Sequence, residues 1–325
     1  MLAVSERGNA SGAGIMATTS EAKRAYLLLL VMPLLFSSNL VIARAMGDAV
    51  PPFTLAALRW GVAAILLLPF TWGSLAAERE RLVMSWRRIL LLGFLGMGIC
   101  GAGVYWALGM TTATNGTLIY TTSPVLVLLI EAAAWGRRLP LARLGGVALA
   151  MLGVAVIVLR GDLGSLARLD LNPGDIGMAA AALAWAVYSL VLKNDRLTAI
   201  PTLTLFAAIA LAGTAVLAPF ALVELATQGG WPDTGRIWLG VVALALFSAV
   251  GAFSLYQYGV KVVGPSITSC FLYLLPVYGV GMAVIFLGEE FRAFHLAGMA
   301  LVLVGLIAAT APPDILPMLR RREVE

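Results

Sequence analysis

The sequence predicts an all-α integral membrane protein with ten transmembrane helices, arranged as a 5+5 inverted repeat. Three observations lead there. Of 325 residues, 61% are apolar and only 12% charged, with a mean hydropathy of +0.94. A water-facing domain needs about 25% charged residues, so most of this surface faces something other than water. The apolar residues form continuous runs with little chain between them, which excludes a β-barrel of alternating strands and leaves no room for a sizeable extramembrane domain. The chain also repeats itself at an offset of 152 residues.

A hydrocarbon core about 30 Å thick takes about 17 to 25 helical residues to cross. Ten runs meet that need once charged ends are trimmed: 25–43, 54–72, 89–108, 116–135, 144–159, 176–192, 203–223, 237–258, 266–287 and 296–311. Residues 1–24 are rich in Gly, Ala and Ser and predict a disordered cytoplasmic tail ending at Lys23 and Arg24. The first run exceeds the apolar stretch of a signal peptide and no convincing cleavage site follows it, so it reads as a retained helix. Residues 25–160 then form the first five-helix repeat, 161–175 an external connecting loop, 176–311 the second repeat, and 312–325 a cytoplasmic tail.

Lys and Arg concentrate in cytoplasmic loops. With the N-terminus inside, 16 of the 22 lie on the inner side and five (Arg44, Arg160, Arg168, Arg236 and Arg292) outside, while Arg59 falls within a span. Both termini are therefore expected in the cytoplasm, with the chain in a cell inner membrane. The basic balance needs no nucleic acid to explain it, because no loop carries a basic stripe interleaved with aromatics.

The repeat is read from matched residues. Pro124 aligns with Pro276, Gly136 with Gly288, Gly146 with Gly298 and Gly153 with Gly305. Earlier in each half, PPFTL (51–55) parallels IPTLT (200–204), and LLLPF (66–70) echoes VLAPF (216–220). Five spans per half is an odd number, so the second half enters the membrane from the opposite side. The charges agree: the loop WGRRL after span four has the mate LGEEF after span nine. Inverted repeats of this kind let a membrane protein exchange inward- and outward-open states.

Chemistry within the membrane is poorly supplied. Cys100 and Cys270 lie in apolar runs without Cys or His neighbours, and the single histidine, His295, stands at the mouth of the last run. No metal site, catalytic constellation or cofactor is expected from these residues. The expected partners are the lipid bilayer and a small-molecule substrate, and the sequence leaves the oligomeric state open, a monomer included.

Five-plus-five spans, a segment from Pro52 ending in Leu58-Arg59, a proline within spans four and nine, and Gly288-Glu289 before a Gly-rich tenth span resemble the drug/metabolite transporter superfamily, EamA branch. The resemblance covers residues 24–311 and departs at Gly136-Arg137, where the family often has Gly-Glu. Length, topology and aromatic content are similar to its YddG-type amino-acid exporters. The resemblance implies that spans one, three, four, six, eight and nine line a cavity while five and ten form a scaffold. The small residues Gly145, Gly146 and Gly153, with Gly298 and Gly305, suit the close packing that a scaffold requires.

Candidate cavity residues follow from helical spacing on those spans. Ser269, Tyr273 and Pro276 share a face of span nine, and Thr117, Tyr120 and Pro124 cluster on span four. Trp185 and Tyr188 share a face of span six, and span one aligns Asn39 with Tyr188. Tyr105 in span three corresponds to Gln257 in span eight. Pro124 and Pro276 each deprive a carbonyl, Tyr120 or Leu272, of its helical donor, and in lipid such a carbonyl must be satisfied by protein, water or ligand. Arg59 and Glu131 are candidate structural or gating charges, Arg59 snorkelling outward or pairing with Asp48, Glu131 with Arg137 or Arg138.

The expected function is a secondary transporter exporting small amphipathic metabolites, best matched by aromatic or hydrophobic amino acids, by facilitated alternating access. Phosphorylated solutes would call for several deep cations, whereas only Arg59 and Lys261 are available. The alternatives are a broad exporter of drugs or organic cations and, from other classes, a membrane sensor or intramembrane enzyme.

Overall fold

A computed structural model describes residues 19–46, 49–136, 139–162, 164, 172–287 and 290–310. Asp48, Arg137, Arg138, Gly288, Glu289, most of the 161–175 loop and nearly all of both tails lie outside the described residues. No strand occurs among the described residues. The helical runs are α1 (Thr19–Met46), α2 (Pro52–Ala77), α3 (Trp86–Leu108), α4 (Thr114–Trp135), α5 (Leu141–Val158), α6 (Pro173–Leu192), α7 (Thr202–Gln228), α8 (Gly235–Val263), α9 (Pro265–Phe286) and α10 (Ala293–Thr310). Among the described residues, the nine runs α2 to α10 are long and apolar enough to cross a membrane. The first run is 28 residues long but mixes Lys23, Arg24, Ser37, Ser38 and Asn39 into its apolar sequence.

The two halves meet in pairs of equivalent helices. Helices α5 and α10 pack so closely that a Cβ added at Gly153 would stand 2.6 Å from the Gly298 carbonyl oxygen, and one at Gly146 would stand 2.7 Å from that of Gly305. Contacts 146–305 and 153–298 interchange under the 152-residue offset, as an inverted repeat about a two-fold axis demands. Only residues without a Cβ permit this approach, and dispersion between the two backbones is what holds a pair of helices together in lipid. Gly145, read from the sequence as part of the same face, points into open space instead.

Helices α2 and α7 form a second such pair with different chemistry. The first turn of α2 has no capping side chain of its own. Its orphan donors are taken by Glu224 of α7, which accepts from the Thr54 N–H at 2.7 Å, the Thr54 hydroxyl at 2.9 Å and the Phe53 N–H at 3.3 Å. A carboxylate suits a helix N-terminus, where the dipole is positive. The mate of this contact joins Thr204 to Ser74 by a hydroxyl–hydroxyl bond of 2.7 Å.

Regular α-helix gives way at matching places in both halves. Gly93–Gly103 in α3 and Leu244–Phe253 in α8 are wound as π-helix, a rare geometry that recurs at functional sites. Helix α4 is interrupted by a turn at Thr121–Thr122, just before Pro124, and α9 tightens to a 3-10 turn over Phe271–Leu274, just before Pro276. The Leu272 carbonyl is not left free as the proline alone suggests: the Leu275 N–H bonds to it within the tighter turn.

The glycine contact generates a stability test. Gly305→Ala forces a methyl to within 2.4 Å of the Ala150 nitrogen. It should cost about 1–3 kcal/mol, the usual penalty for overpacking, read as a lower melting temperature in detergent. Gly145→Ala meets nothing within 4 Å and should leave the melting temperature unchanged or slightly raised.

Candidate functional site

Between the halves lie two adjoining chambers, an inner one of about 190 Å³ and an outer one of about 430 Å³. Val104, Tyr120 and Leu275 border both. The walls come from α1, α3, α4, α6, α8 and α9, with Arg59 added from α2. Helix α5, a scaffold by resemblance, also reaches the outer chamber through Ile157 and Val158.

The inner chamber is organised around one cation. Arg59 is only 4% exposed and lines the chamber rather than snorkelling outward. Its Nη1 donates to the Tyr105 hydroxyl at 3.2 Å, and that hydroxyl donates to Asn39 Oδ1 at 3.0 Å. The guanidinium carbon also lies 4.7 Å from the centre of the Trp60 ring, a cation–π contact that offsets part of the desolvation cost. Arg59 Nε and Trp60 Nε1 are buried donors without an acceptor.

Aromatic rings close the wall behind. Trp185 stacks on Tyr188 at 5.4 Å and meets Phe253 edge-on at 5.6 Å. Phe36 packs edge-on against Phe253 at 5.1 Å. The outer chamber is milder in character, lined by Leu108, Met178 and Val280 with Ser37, Thr117 and Thr121. The Ser37 hydroxyl donates to the Leu275 carbonyl at 3.0 Å, tying α1 to the broken stretch of α9.

The candidates read from the sequence divide accordingly. Asn39, Tyr105, Tyr120 and Trp185 come together at the inner chamber, and Thr117, Tyr120 and Pro276 at the outer one. Pro124, Tyr188, Ser269 and Tyr273 are buried and border neither chamber. Ser269 and Tyr273 were placed beside Pro276 by ideal helical spacing. The 3-10 turn over Phe271–Leu274 winds at about three residues per turn and shifts that phase. Gln257 donates to the Tyr188 hydroxyl at 3.2 Å and reaches only a minor cleft beside Lys261. Glu131 accepts from the Ser266 N–H at 3.1 Å and from its hydroxyl, so it caps the first turn of α9.

Sequence reasoning passed over Phe36, Ser37, Cys100, Ser248, Phe253 and Gly279 on the walls. Ser37 and Phe36 precede Asn39 on a helix already read as lining, so proximity was the available signal. Phe253 offered none, because it ends a π stretch where a period of 3.6 does not apply.

Inverted repeats enclosing a partly polar cavity within a sheath of lipid-length helices define a membrane transporter. The chain belongs to the EamA-like transporter family, whose model matches it twice, over residues 23–159 and 172–311. It is similar to the uncharacterized transporter YyaM of Bacillus subtilis (strain 168), 24% identical over 88% of this chain and 93% of that one. The aromatic amino acid exporter YddG of Ancylobacter novellus is 28% identical over 70% of this chain and 77% of its own. A solved crystal structure, 24% identical, shares the fold with a TM-score of 0.71 over 88% of this chain and 97% of that one.

A filled chamber tests the site. Gly279 lines the outer chamber, and a Cβ added there meets nothing within 4 Å. Gly279→Leu should leave the melting temperature within a few degrees of the parent while lowering flux of a bulky solute by about tenfold or more. Gly281→Ala, also unobstructed but off the chamber wall, should alter neither.

Proposed function

We propose that this transporter exports aromatic or other hydrophobic amino acids by facilitated alternating access. The observation that carries the mechanism is a pair of symmetry-related contacts in unequal surroundings. Asn39 bonds to Tyr105 at the wall of the inner chamber. Their repeat mates, Tyr188 and Gln257, bond to each other where both are buried. Exchanging these two environments moves the cavity from one side of the two-fold axis to the other.

The substrate reading rests on the walls. Leu108, Met178 and Val280 line the outer chamber and match an aromatic or hydrophobic side chain, whose burial is worth about 1.5–3 kcal/mol, while Trp185, Phe36 and Phe253 wall the inner chamber. Asn39, Tyr105 and Arg59 match a zwitterionic backbone. The exporter YddG, similar over much of the chain, carries aromatic amino acids by its name. Proton-coupled antiport takes a protonatable group in the path. The described residues of both chamber walls include no carboxylate and no histidine, which supports downhill movement.

On the topology read from the charges, the chain crosses a bacterial inner membrane ten times with both termini inside, and repeats 25–160 and 176–311 flank an external connection. Leu108, Gly116, Val158 and Met178 at the outer chamber then lie toward the outside, so the cavity faces outward.

Flux of labelled solutes in proteoliposomes tests the reading. Saturable movement of phenylalanine or tryptophan without a pH gradient is expected, reduced by about tenfold or more in Trp185→Ala. Flux of a quaternary ammonium dye alone would transfer the protein to the drug-exporter class. Uphill accumulation driven by an imposed pH gradient would overturn the facilitative mechanism.

A further inference from the structure

We propose that the inner chamber is a carboxylate subsite in which Arg59 holds the substrate's carboxyl group, while the substrate's side chain extends past Tyr120 into the outer chamber. The assignment deepens, and rests on, the reading of the chain as an amino-acid carrier.

The inner chamber has donors in excess. A guanidinium carries five N–H groups and no acceptor. One side-chain bond is made, to the Tyr105 hydroxyl, and Nε has no acceptor although Arg59 is only 4% exposed. Trp60 Nε1 is a second buried, unbonded donor, and a Cβ on the wall residue Gly101 would stand 3.3 Å from it and 3.6 Å from Arg59 Nη2. A buried charge is strongly unfavourable unless it is paired and its remaining donors are bonded.

No carboxylate among the described residues answers this need. Among the described residues, the linings of both chambers carry no acid, and no ion pair involves Arg59. Glu224, the buried glutamate of the neighbouring helix α7, is committed to the first turn of α2. An acceptor-rich anion therefore completes the site. One planar fork suits one planar carboxylate, which it can bind through two parallel bonds. A phosphate, with its greater charge, would call for more than one cation, and Lys261 is elsewhere, bonded to the Ile200 carbonyl.

Size fixes the orientation. At about 190 Å³ the inner chamber falls below the roughly 300 Å³ at which pockets begin to enclose a drug-sized ligand. A solute anchored at Arg59 must reach through the shared border into the 430 Å³ outer chamber. The same cation repels amines that lack a carboxylate, so the subsite selects amino acids and aryl carboxylates against organic cations.

Binding to the purified full-length protein, followed by tryptophan fluorescence, tests this with three probes: 3-phenylpropionate, phenethylamine and phenyl phosphate. The carboxylate should bind about tenfold or more tighter than the amine. Arg59→Gln should abolish that preference. Arg59→Lys, which keeps the charge and loses the fork, should weaken carboxylate binding by a smaller factor. Gly101→Ala, which crowds Arg59 Nη2 and Trp60 Nε1 with one methyl, should weaken it several-fold while leaving Arg59 in place, and it decides the matter if Arg59→Gln does not fold. Equal binding of acid and amine, tighter binding of phenyl phosphate, or carboxylate affinity unchanged in both Arg59→Lys and Gly101→Ala would each overturn the subsite. Arg59-dependent carboxylate binding without any amino-acid flux would sink the transport reading alone. Amino-acid flux with the same KM in wild type and Arg59→Gln would sink the subsite alone.

Discussion

Lipid offers backbone amides and carbonyls no partner, so a chain that crosses a membrane must satisfy every one of them within itself. That constraint makes the protein helical, and it also governs where the helices are allowed to fail. The breaks here are tied by nearby groups. The 3-10 turn of α9 gives the Leu272 carbonyl to Leu275, and Ser37 reaches across from α1 to the Leu275 carbonyl. The turn in α4 is tied by Thr121 and Thr122, whose hydroxyls donate to the carbonyls of Leu118 and Ile119 at 2.7 and 2.6 Å. Both breaks border the chambers, through Tyr120, Thr121, Leu272 and Leu275. Irregular backbone is tolerated because it faces a cavity.

The inverted repeat supplies the frame, and divergence within it supplies the chemistry. Where two equivalent helices pack backbone against backbone, as α5 and α10 do, the contacts at 146–305 and 153–298 stay chemically identical. Where a helix end must be satisfied, equivalent positions have separated: Glu224 answers Thr54 on one side of the axis, and Ser74 answers Thr204 on the other. The paired bonds Asn39–Tyr105 and Tyr188–Gln257 keep the contact and exchange which helix carries the phenol. Symmetry thus conserves geometry while residue identity drifts.

Much of this frame was legible in the sequence because it rests on composition and spacing. Charge poverty and run length give the membrane helices. The matched Gly146/Gly298 and Gly153/Gly305 give both the repeat and its scaffold. The cavity was read less completely, since its walls depend on departures from ideal helix. Helical spacing pointed to Tyr120 and Trp185 and the repeat alignment to Asn39 and Tyr105, four residues that border the inner chamber, whereas a period of 3.6 does not carry across the 3-10 turn that separates Ser269 from Pro276 or to Phe253 at the end of a π stretch. Arg59 was visible as an intramembrane charge. Its direction depends on the neighbouring Trp60 ring and on a hydroxyl 46 positions away, and no local pattern reports either.

Arg59 is also where the symmetry breaks most sharply. The 150-residue offset that pairs Thr54 with Thr204 and Ser74 with Glu224 pairs Arg59 with Ile209, so the charge has no counterpart in the second half. A transporter built from equivalent halves tends toward two end states of similar energy, since each state exchanges the contacts of the other. A single buried guanidinium removes that balance, because closing the chamber over an unpaired charge costs more than closing it over a neutralised one. On the alternating-access reading, a carboxylate bound at Arg59 lowers the cost of closure specifically in the loaded protein, and differential stabilisation of that kind is the only means by which a ligand shifts a conformational equilibrium. Substrate recognition and permission to move are then two consequences of the same missing negative charge.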